Sequence, residues 1–334
     1  MTEFKPNFTA IDFETANQRK DSACQLAAVR VREGKIVHSA MWMIRPEPFF
    51  FTPGNIRIHG IYPEDVQDQP NFGDHWQEIK DTLGDDCIVA HNASFDIGVL
   101  NACLRRHKKR IPEIQYTCTR AIARRSWEMR RYGLKPLANW LGIRFKHHDA
   151  LEDSIACAKV LLAAGIHKRA ETLEQLESKL RLSRGKLSRT GFVGPENKRR
   201  AARKPKRKPA ASKSSGPAQL PLPLGDVDRI PAQIFPHASS VPIQKSVAID
   251  IQRMLVRADF TRPLAGKQIV VCGRLKLLTP EHAQQLVVRS GGTLQSEPSD
   301  ATNLLLVGEE SSDVPSIGDL PTVSEREFVS MFGS

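Results

Sequence analysis

The sequence contains no apolar run that approaches the length of a membrane-spanning helix. Such a helix needs about 20 mostly apolar residues, so nothing here indicates a membrane partner. The first residues, MTEFKPNFTAIDFE, include no basic segment followed by an apolar stretch, which predicts that a secretory signal is absent. Both absences favour a cytoplasmic protein.

Paired cysteines are also lacking. The six cysteines are scattered and form no CxxC motif: Cys24, Cys87, Cys103, Cys118, Cys157 and Cys272. Their spacing argues against a structural zinc site. Isolated cysteines in apolar contexts are typical of a reducing compartment rather than of a disulfide framework.

Most of the chain lacks an excess of basic charge, and only one segment has one. Residues 184–213 contain 12 Lys or Arg and one Glu, whereas the rest of the 334 residues carries 37 basic and 36 acidic side chains. The formal net charge of +12 therefore arises in a single block. Such a block is usually disordered and often contacts nucleic acid.

Composition divides the chain into three regions, the first being residues 1–175. Its apolar runs predict strands at 9–14, 25–31, 35–44 and 87–91. Its helical patterns cover 94–107, 133–142 and 149–168. Strands followed by alternating helices and strands predict an α/β domain with a mixed central sheet.

The second region, residues 176–262, is predicted to be a basic, Pro-rich flexible linker, because it lacks the apolar residues needed to offset chain ordering. One amphipathic helix is expected near its end, at 245–260. The third region, residues 263–334, predicts a small α/β domain. Its strands are expected at 267–273 and 303–308, and its helices at 279–290, capped by Thr279, and at 324–332, capped by Ser324.

Acidic residues recur at positions that suit metal binding. Asp12 and Glu14 stand two residues apart at the end of the first strand, so their side chains share one face. Adjacent carboxylates repel each other unless a cation neutralises them, and hard oxygen ligands suit Mg²⁺ or Mn²⁺. The alternative is an accidental pair of solvated acids.

Two further segments carry candidate residues. Asp96 lies in AHNASFDIGVL, among apolar neighbours where an unpaired carboxylate is costly, although a helix dipole could also stabilise it. In HHDALEDSIACA, a helix begins between His148 and Asp153. This spacing could bring Asp153 to the metal face and leave His148 on the preceding loop as a base for water. The adjacent His147 is interpreted as a surface residue.

DFET, HNASFD and HxxxxD, in this order, resemble the three motifs of the DEDDh 3′→5′ exonucleases. This DnaQ-like family includes the epsilon subunit of bacterial DNA polymerase III, ribonuclease T and oligoribonuclease. The resemblance covers residues 7–170 and implies an RNase H-like fold with two divalent metal ions, Mg²⁺ or Mn²⁺. It also implies a bacterial cytosolic, nucleoid-associated protein.

The resemblance assigns a role to each motif residue. Asp12, Glu14 and Asp153 would hold the metal that binds the attacking water. Asp12 would bridge to the second metal, with Asp96 close by, and His148 would take the proton of the water. The product would be a nucleoside 5′-monophosphate.

Substrate contacts are implied less sharply. The segment IHGI resembles the family segment that touches the terminal nucleotide, so His59 is expected to contact substrate, although Tyr62 stands where the family usually has Thr or Ser. Phe13 and Thr15 are expected to line the pocket for the last nucleotide. Phe95 would pack near its base, a sequence-tolerant contact. Core packing is the alternative for Phe95.

Residues 263–334 resemble a BRCT domain. BRCT domains that bind phosphopeptides usually have Ser or Thr where this chain has Cys272. They also usually have a Lys near the second helix, and residues 309–316 of this chain contain none. A phosphate would then be without its hydroxyl and its cation. The resemblance therefore favours docking to DNA ends or to a protein.

A short apolar peptide in the linker resembles the QLxLxL motif by which bacterial replication proteins bind the sliding clamp. Its residues are Gln219, Leu220, Leu222 and Leu224. Short apolar peptides of this kind bind in grooves. A chance Pro/Leu-rich spacer is the alternative.

The motifs together predict a 3′→5′ exonuclease that degrades DNA from single-stranded 3′ ends during repair or replication. The first alternative is a 3′→5′ exoribonuclease, because the catalytic motifs do not distinguish the sugar. The second is a catalytically idle DNA-binding scaffold. Retention of all four acids argues against the scaffold.

Overall fold

A computed structural model describes residues 3–197, 250–308 and 320–333 of the protein. The first region is built on a seven-stranded sheet with the spatial order β3-β2-β1-β4-β5-β7-β8. The strands of this sheet are β1 (Phe8–Thr15), β2 (Ala23–Arg32), β3 (Lys35–Met43), β4 (Ile88–Ala90), β5 (Ile114–Cys118), β7 (Gly185–Ser188) and β8 (Gly191–Val193). In the described part of the chain, no helix has the length and apolarity to cross a membrane.

The sheet is mixed. β1 pairs antiparallel with β2 and parallel with β4, and β4 continues parallel to β5. β7 and β8 then return antiparallel at the far edge. The predicted α/β class, the mixed sheet and the four predicted strands are therefore confirmed.

Eight helices surround the sheet in the described residues up to 197. They are α1 (Pro53–His59), α2 (Pro63–Val66), α3 (Phe72–Leu83), α4 (Ser94–Arg106), α5 (Thr119–Ser126), α6 (Leu134–Leu141), α7 (Ala150–His167) and α8 (Leu173–Leu180). The predictions for α4, α6 and α7 are confirmed. The Asp149 side chain caps α7 by accepting hydrogen bonds from the backbone N–H groups of Leu151 and Glu152.

Strand alternation divides the core into two layers. Phe8 and Ala10 of β1 pack with α5, α6, α7 and α8 on one face of the sheet. Ile11 and Phe13 pack with α3 and α4 on the other face. Asp12 follows the parity of Phe8 and Ala10, so β1 directs it toward the α7 side.

The sheet continues beyond residue 176, where the sequence predicts the linker to begin. Four short strands follow α8: β6 (Leu182–Ser183), β7, β8 and β9 (Glu196–Asn197). Gly185 of β7 lies opposite Tyr116 of β5, where a Cβ atom would overlap the tyrosine ring. Arg184 donates to Glu177 over 2.9 Å. The predicted linker start is wrong, because β7 gains its stability from pairing with β5 rather than from apolar residues of its own.

The third region forms a small α/β domain, as predicted. Its elements are α9 (Ile251–Thr261), β10 (Gln268–Cys272), α10 (Pro280–Arg289), β11 (Thr293–Gln295), β12 (Leu304–Val307), β13 (Thr322–Ser324) and α11 (Glu325–Met331). The four strands are parallel, in the order β11-β10-β12-β13. Thr279 and Ser324 cap α10 and α11 as predicted.

Helix α9 joins the two folded regions and lies inside the predicted linker. Val256 of α9 is buried in the same cluster as α6 and α7. The Arg257 guanidinium donates to the carbonyls of Asn139 and Trp140, at 2.8 and 2.9 Å, where α6 ends. It also donates to the carbonyls of Phe332 and Gly333, both at 2.9 Å. The predicted linker end at residue 262 is therefore too late, since α9 is packed on both regions.

Candidate active site

Four carboxylates meet at the carboxyl end of β1. Oxygens of Asp12, Glu14 and Asp153 all lie within 4.8 Å of one another. β1 supplies the first two on one face, and the first turn of α7 supplies Asp153. Asp96, in the first turn of α4, accepts a hydrogen bond from the backbone N–H of Phe13 at 3.2 Å. The fold thus gathers the four acids that the motifs predict.

Burial and mutual repulsion make these carboxyl groups hard to ionise. The pKa of Asp12 is raised well above its ordinary range by burial, and then by the charges of Asp96, Asp153 and Glu14. Burial, followed by the charges of Asp153 and Asp96, raises the pKa of Glu14 to about 8. The pKa of Asp96 is raised to about 7, chiefly by burial.

The unsatisfied oxygens of the cluster suit divalent cations. Oδ2 of Asp96 is buried and has no hydrogen-bond partner among the described residues. A buried acceptor without a donor is costly, and acids that raise one another's pKa need a compensating positive charge. Carboxylate oxygens are the ligands that Mg²⁺ and Mn²⁺ prefer. Asp12, Glu14, Asp96 and Asp153 therefore fit divalent metal ions.

His148 lies on the loop between α6 and α7. Its backbone is left-handed, with φ of 68°, and its N–H donates to Oδ2 of Asp153 at 3.1 Å. Burial lowers the pKa of His148 below its ordinary value. A ring that is neutral near pH 7 is able to accept a proton.

His147 is part of the same cluster, so its interpretation as a surface residue is wrong. Its Nδ1 lies 2.8 Å from Oδ1 of Asp153. Its ring stacks on that of His148, with 3.8 Å between centroids. The left-handed turn at His148 brings both histidines to Asp153, and no local sequence pattern signals such a turn.

The predicted substrate residues Thr15 and His59 are brought together. Nε2 of His59 lies 3.2 Å from the carbonyl oxygen of Thr15, which also accepts from the Asn55 side chain at 2.8 Å. Burial lowers the pKa of His59. Thr15 follows Glu14 as the last residue of β1, and His59 is the last residue of α1. Sequence reasoning missed Asn55, which lies four residues before His59 on the same helix and thus on the same side.

Phe13 does not line this pocket with its side chain. The ring is 3% exposed and belongs to the core on the opposite face of β1. The prediction is corrected by strand alternation, since Asp12 and Glu14 occupy the site face. Only the backbone N–H of Phe13 reaches the site, through Asp96.

The aromatic residue beside Asp96 is accessible. Phe95 is 38% exposed, which favours the hypothesis that it contacts the substrate base over the alternative that it packs in the core. Tyr62, at the start of α2, is 56% exposed. The predicted clamp-binding residues Gln219, Leu220, Leu222 and Leu224 lie outside the described residues.

Comparison with known proteins finds a family match in the first region. Residues 9–161 match the RNase_T family model, which is described as an exonuclease. The match supports an exonuclease family for these residues. The match contains all four acids and His148, and it ends within α7, before the C-terminal α/β domain.

The similarity to DNA polymerase III proteins is confined to this domain and covers only a small part of the length of each relative. The chain is 30% identical over 158 residues to DNA polymerase III PolC-type of Thermotoga petrophila, covering 46% of this chain and 12% of that protein. It is 32% identical over 164 residues to DNA polymerase III PolC-type of Bacillus subtilis, covering 46% and 11%. The chain therefore spans about an eighth or less of these relatives.

A solved structure of similar size to the domain is Exonuclease X in complex with 5′ overhanging duplex DNA. It is 29% identical, with 52% of this chain and 99% of that chain covered and a TM-score of 0.44. The family match and the acidic cluster together make the first region a metal-dependent nuclease domain, a hydrolase.

Proposed function

We propose that the protein is a 3′→5′ exonuclease that hydrolyses DNA to nucleoside 5′-monophosphates with two divalent cations. The observation that carries the proposal is the convergence of four acids, buried or half-buried, with two histidines at the end of β1. The family match of residues 9–161 supports it. Repair or replication is the setting that we propose for this activity.

The four acids would hold the cations. Asp12, Glu14 and Asp153 share one face and suit the first, while Asp12 and Asp96 suit the second. When bound, two Mg²⁺ or Mn²⁺ ions activate a water and stabilise the leaving 3′ oxygen in phosphodiester hydrolysis. Without such ions the acids repel one another, so the carboxylates alone would not favour an anionic substrate.

The remaining residues would position the metal ligands and the substrate, and would deprotonate the attacking water. His148, with its lowered pKa, accepts the proton of the attacking water. His147 fixes Oδ1 of Asp153, and the backbone of His148 fixes Oδ2. Thr15 and His59, which contact each other, would hold the terminal nucleotide, and exposed Phe95 would offer it a stacking surface.

DNA is the proposed substrate because two similar proteins are named DNA polymerase III. Single-stranded 3′ ends are the proposed form of that substrate. The BRCT-like reading of residues 263–334 and the clamp-like reading of Gln219–Leu224 remain predictions, of docking to DNA ends or a protein and to a sliding clamp. Both support DNA over RNA.

The test is digestion of 5′-labelled single-stranded DNA and of matched RNA with Mg²⁺ or Mn²⁺. The wild-type protein is compared with the variants Asp12→Ala and His148→Ala. Glu78→Ala, at an exposed position of α3, is the matched control. We expect a ladder that shortens from the 3′ end, is abolished by EDTA and by Asp12→Ala, and persists in Glu78→Ala.

The ratio of rates on DNA and RNA decides between the two substrates. Faster RNA digestion would reverse the assignment in favour of an exoribonuclease. If the protein binds DNA but shortens neither substrate, the proposed enzymatic activity would be wrong. The hypothesis of a catalytically idle DNA-binding scaffold would then be favoured.

A further inference from the structure

A cleft of about 760 Å³ opens at the carboxyl end of β5, the last residue of which lines it. One wall comes from the start of α4, with Asn92 and Ser94. The other wall comes from α5, with Arg120 and Arg124, and Pro195 also lines the cleft. No acidic side chain lies among the described residues that line it. The cleft is therefore positively charged, in contrast to the acidic cluster.

Sheet topology places the cleft on the same edge as the acids. β1, β4 and β5 are adjacent and parallel, so their carboxyl ends face one way. Ala10 pairs with Val89, and Ala90 with Cys118, which puts the β5 end level with the residue before Asp12. Strands lie about 4.8 Å apart, so β5 is about 10 Å from β1. A fully stacked strand rises about 3.4 Å per nucleotide, so this distance is at most about three nucleotides of an equally or more extended single strand.

The two arginines are available to an anion. Nε of Arg120 is buried and has no hydrogen-bond partner in the described part of the chain. A buried donor is costly unless a ligand supplies its acceptor. Arg124 is exposed, and its guanidinium lies 5.7 Å from the centroid of the Tyr132 ring. Planar guanidinium groups match the geometry of phosphate oxygens.

The walls are fixed in place before any ligand binds. Nδ1 of His91 lies 2.9 Å from Oγ1 of Thr119 at the start of α5. Nε2 of His91 lies 2.9 Å from the Tyr132 carbonyl oxygen. Burial lowers the pKa of His91 to about 4, so the ring is neutral at pH 7. A preformed site reduces the entropy lost on binding.

We infer that this cleft binds backbone phosphates of the substrate strand, a few nucleotides 5′ of the bond that is cut. The inference rests on the proposed exonuclease function, because that function directs the 3′ end to the acids. Residues 198–213, which begin three positions after Pro195, carry nine Lys or Arg and no acid in sequence. This charge would attract the same polyanion.

The test separates the cleft from the catalytic centre by substrate length. Arg120→Ala/Arg124→Ala is compared with wild type and with Lys35→Ala/Lys80→Ala, a control that removes two exposed charges elsewhere. The substrates are the p-nitrophenyl ester of thymidine 5′-monophosphate, single-stranded oligothymidylate of 12 nucleotides, and that strand recessed in a duplex. Circular dichroism checks folding, and fluorescence anisotropy measures binding of the 12-mer in EDTA.

We expect the cleft variant to hydrolyse the ester within twofold of wild type. For the 12-mer, we expect KM to rise about tenfold with kcat unchanged. Two lost phosphate contacts at about 0.7 each would reduce the salt slope of log affinity by about 1.4. Arg120→Lys/Arg124→Lys should restore most of that slope, because it keeps both charges.

Three results would overturn the inference. Equal losses on ester and 12-mer would mean that the arginines support the catalytic centre. A loss confined to the duplex would assign the cleft to the complementary strand. An unchanged affinity and salt slope would exclude phosphate binding. If wild type cleaves no substrate, the exonuclease proposal fails, and the anisotropy measurement alone still decides whether the cleft binds the strand.

Discussion

The seven-stranded and the four-stranded sheet each bury an acid near the carboxyl end of a strand, with opposite consequences. Glu325, at the start of α11, is 6% exposed, and its two oxygens accept hydrogen bonds from the backbone N–H groups of Lys276, Leu277 and Leu278, each at 2.8 Å. Asp96 is 1% exposed and receives one such bond at 3.2 Å. Its second oxygen has no partner among the described residues.

The comparison shows that burial alone does not identify a functional acid. Glu325 is surrounded by donors, so its charge stabilises a turn of the smaller domain. Asp96 shares its surroundings with Asp12 and Asp153. Beyond the effect of burial, the charge of Asp153 raises the pKa of Asp96, and the charges of Asp96 and Asp153 raise the pKa of Asp12. Acids arranged in this way lower stability until a cation binds, which is typical of sites built for function.

The largest expected difference is in activity. Asp12→Asn should lower the nuclease rate by about 10³-fold or more, because it removes a metal ligand worth several kcal/mol in the transition state. Glu325→Gln should leave the rate within twofold. Initial rates on 5′-labelled single-stranded DNA measure both. Equal losses in the two variants would break the comparison.

The two histidines sharpen the role of Asp153. His148→Gln should lower kcat by about 10²-fold to 10⁴-fold through loss of the general base. His147→Gln should lower it by about tenfold, the effect of losing a residue that orients a metal ligand. Metal titrations of kcat separate them, since only His147→Gln should raise the metal concentration needed for half-maximal rate. The reverse ranking would transfer the base role to His147.

Much of the site could be predicted because its signals are local. The two-residue spacing of Asp12 and Glu14 fixes a shared strand face, and the same alternation excludes Phe13 from that face. Caps at Thr279 and Ser324 are equally local. His147 could not be predicted, because its contact with Asp153 depends on the left-handed backbone of His148.

Elements that form by long-range pairing also escaped prediction. β7 and β8 are short, follow basic residues and show no apolar run of their own. They become strands because β5 offers them an edge to pair with. The sequence predicts α9 as an amphipathic helix at 245–260, but it does not predict how this helix packs. That packing depends on contacts of Arg257 with carbonyls more than 70 residues away along the chain.

For Glu325, unlike the acids of the candidate active site, the expected effect of substitution is on the stability of the smaller domain. Glu325→Ala leaves the N–H groups of Lys276, Leu277 and Leu278 without their acceptor, and only the last of these is buried. A buried donor left without a partner costs about 1–3 kcal/mol, and the two part-buried ones cost less because water reaches them. We expect the free energy of unfolding of the smaller domain to fall by about 2–4 kcal/mol. Urea unfolding followed by circular dichroism measures it, with exposed Glu297→Ala as control. A loss no larger than that of the control would show that water replaces the carboxylate.

The smallest expected effect is on pH dependence without metal. Because the folded-state pKa values of Glu14 and Asp96 are raised to about 8 and about 7, these acids favour folding while protonated. Their contribution is fully present below about pH 4 and is lost as pH rises through about 7 to 8. In EDTA, Tm should therefore fall between pH 5 and pH 8.

Added Mg²⁺ should remove most of that fall, since it neutralises the ionised acids. Asp12→Asn should make the decline in EDTA shallower, while Glu325→Gln should leave its slope as in wild type. Scanning calorimetry at four pH values distinguishes these cases. A Tm in EDTA that rises across the same window would contradict the assigned direction of the pKa shifts.

The hairpin of β7 and β8 also determines where the nuclease domain is able to end. A chain cut at residue 175 would leave one side of β5 unpaired and the Tyr116 hydroxyl without the Val193 carbonyl, which it reaches at 2.8 Å. Open strand edges recruit strands from other molecules. Such a fragment should aggregate during expression, whereas one that ends at residue 197 keeps its edge covered.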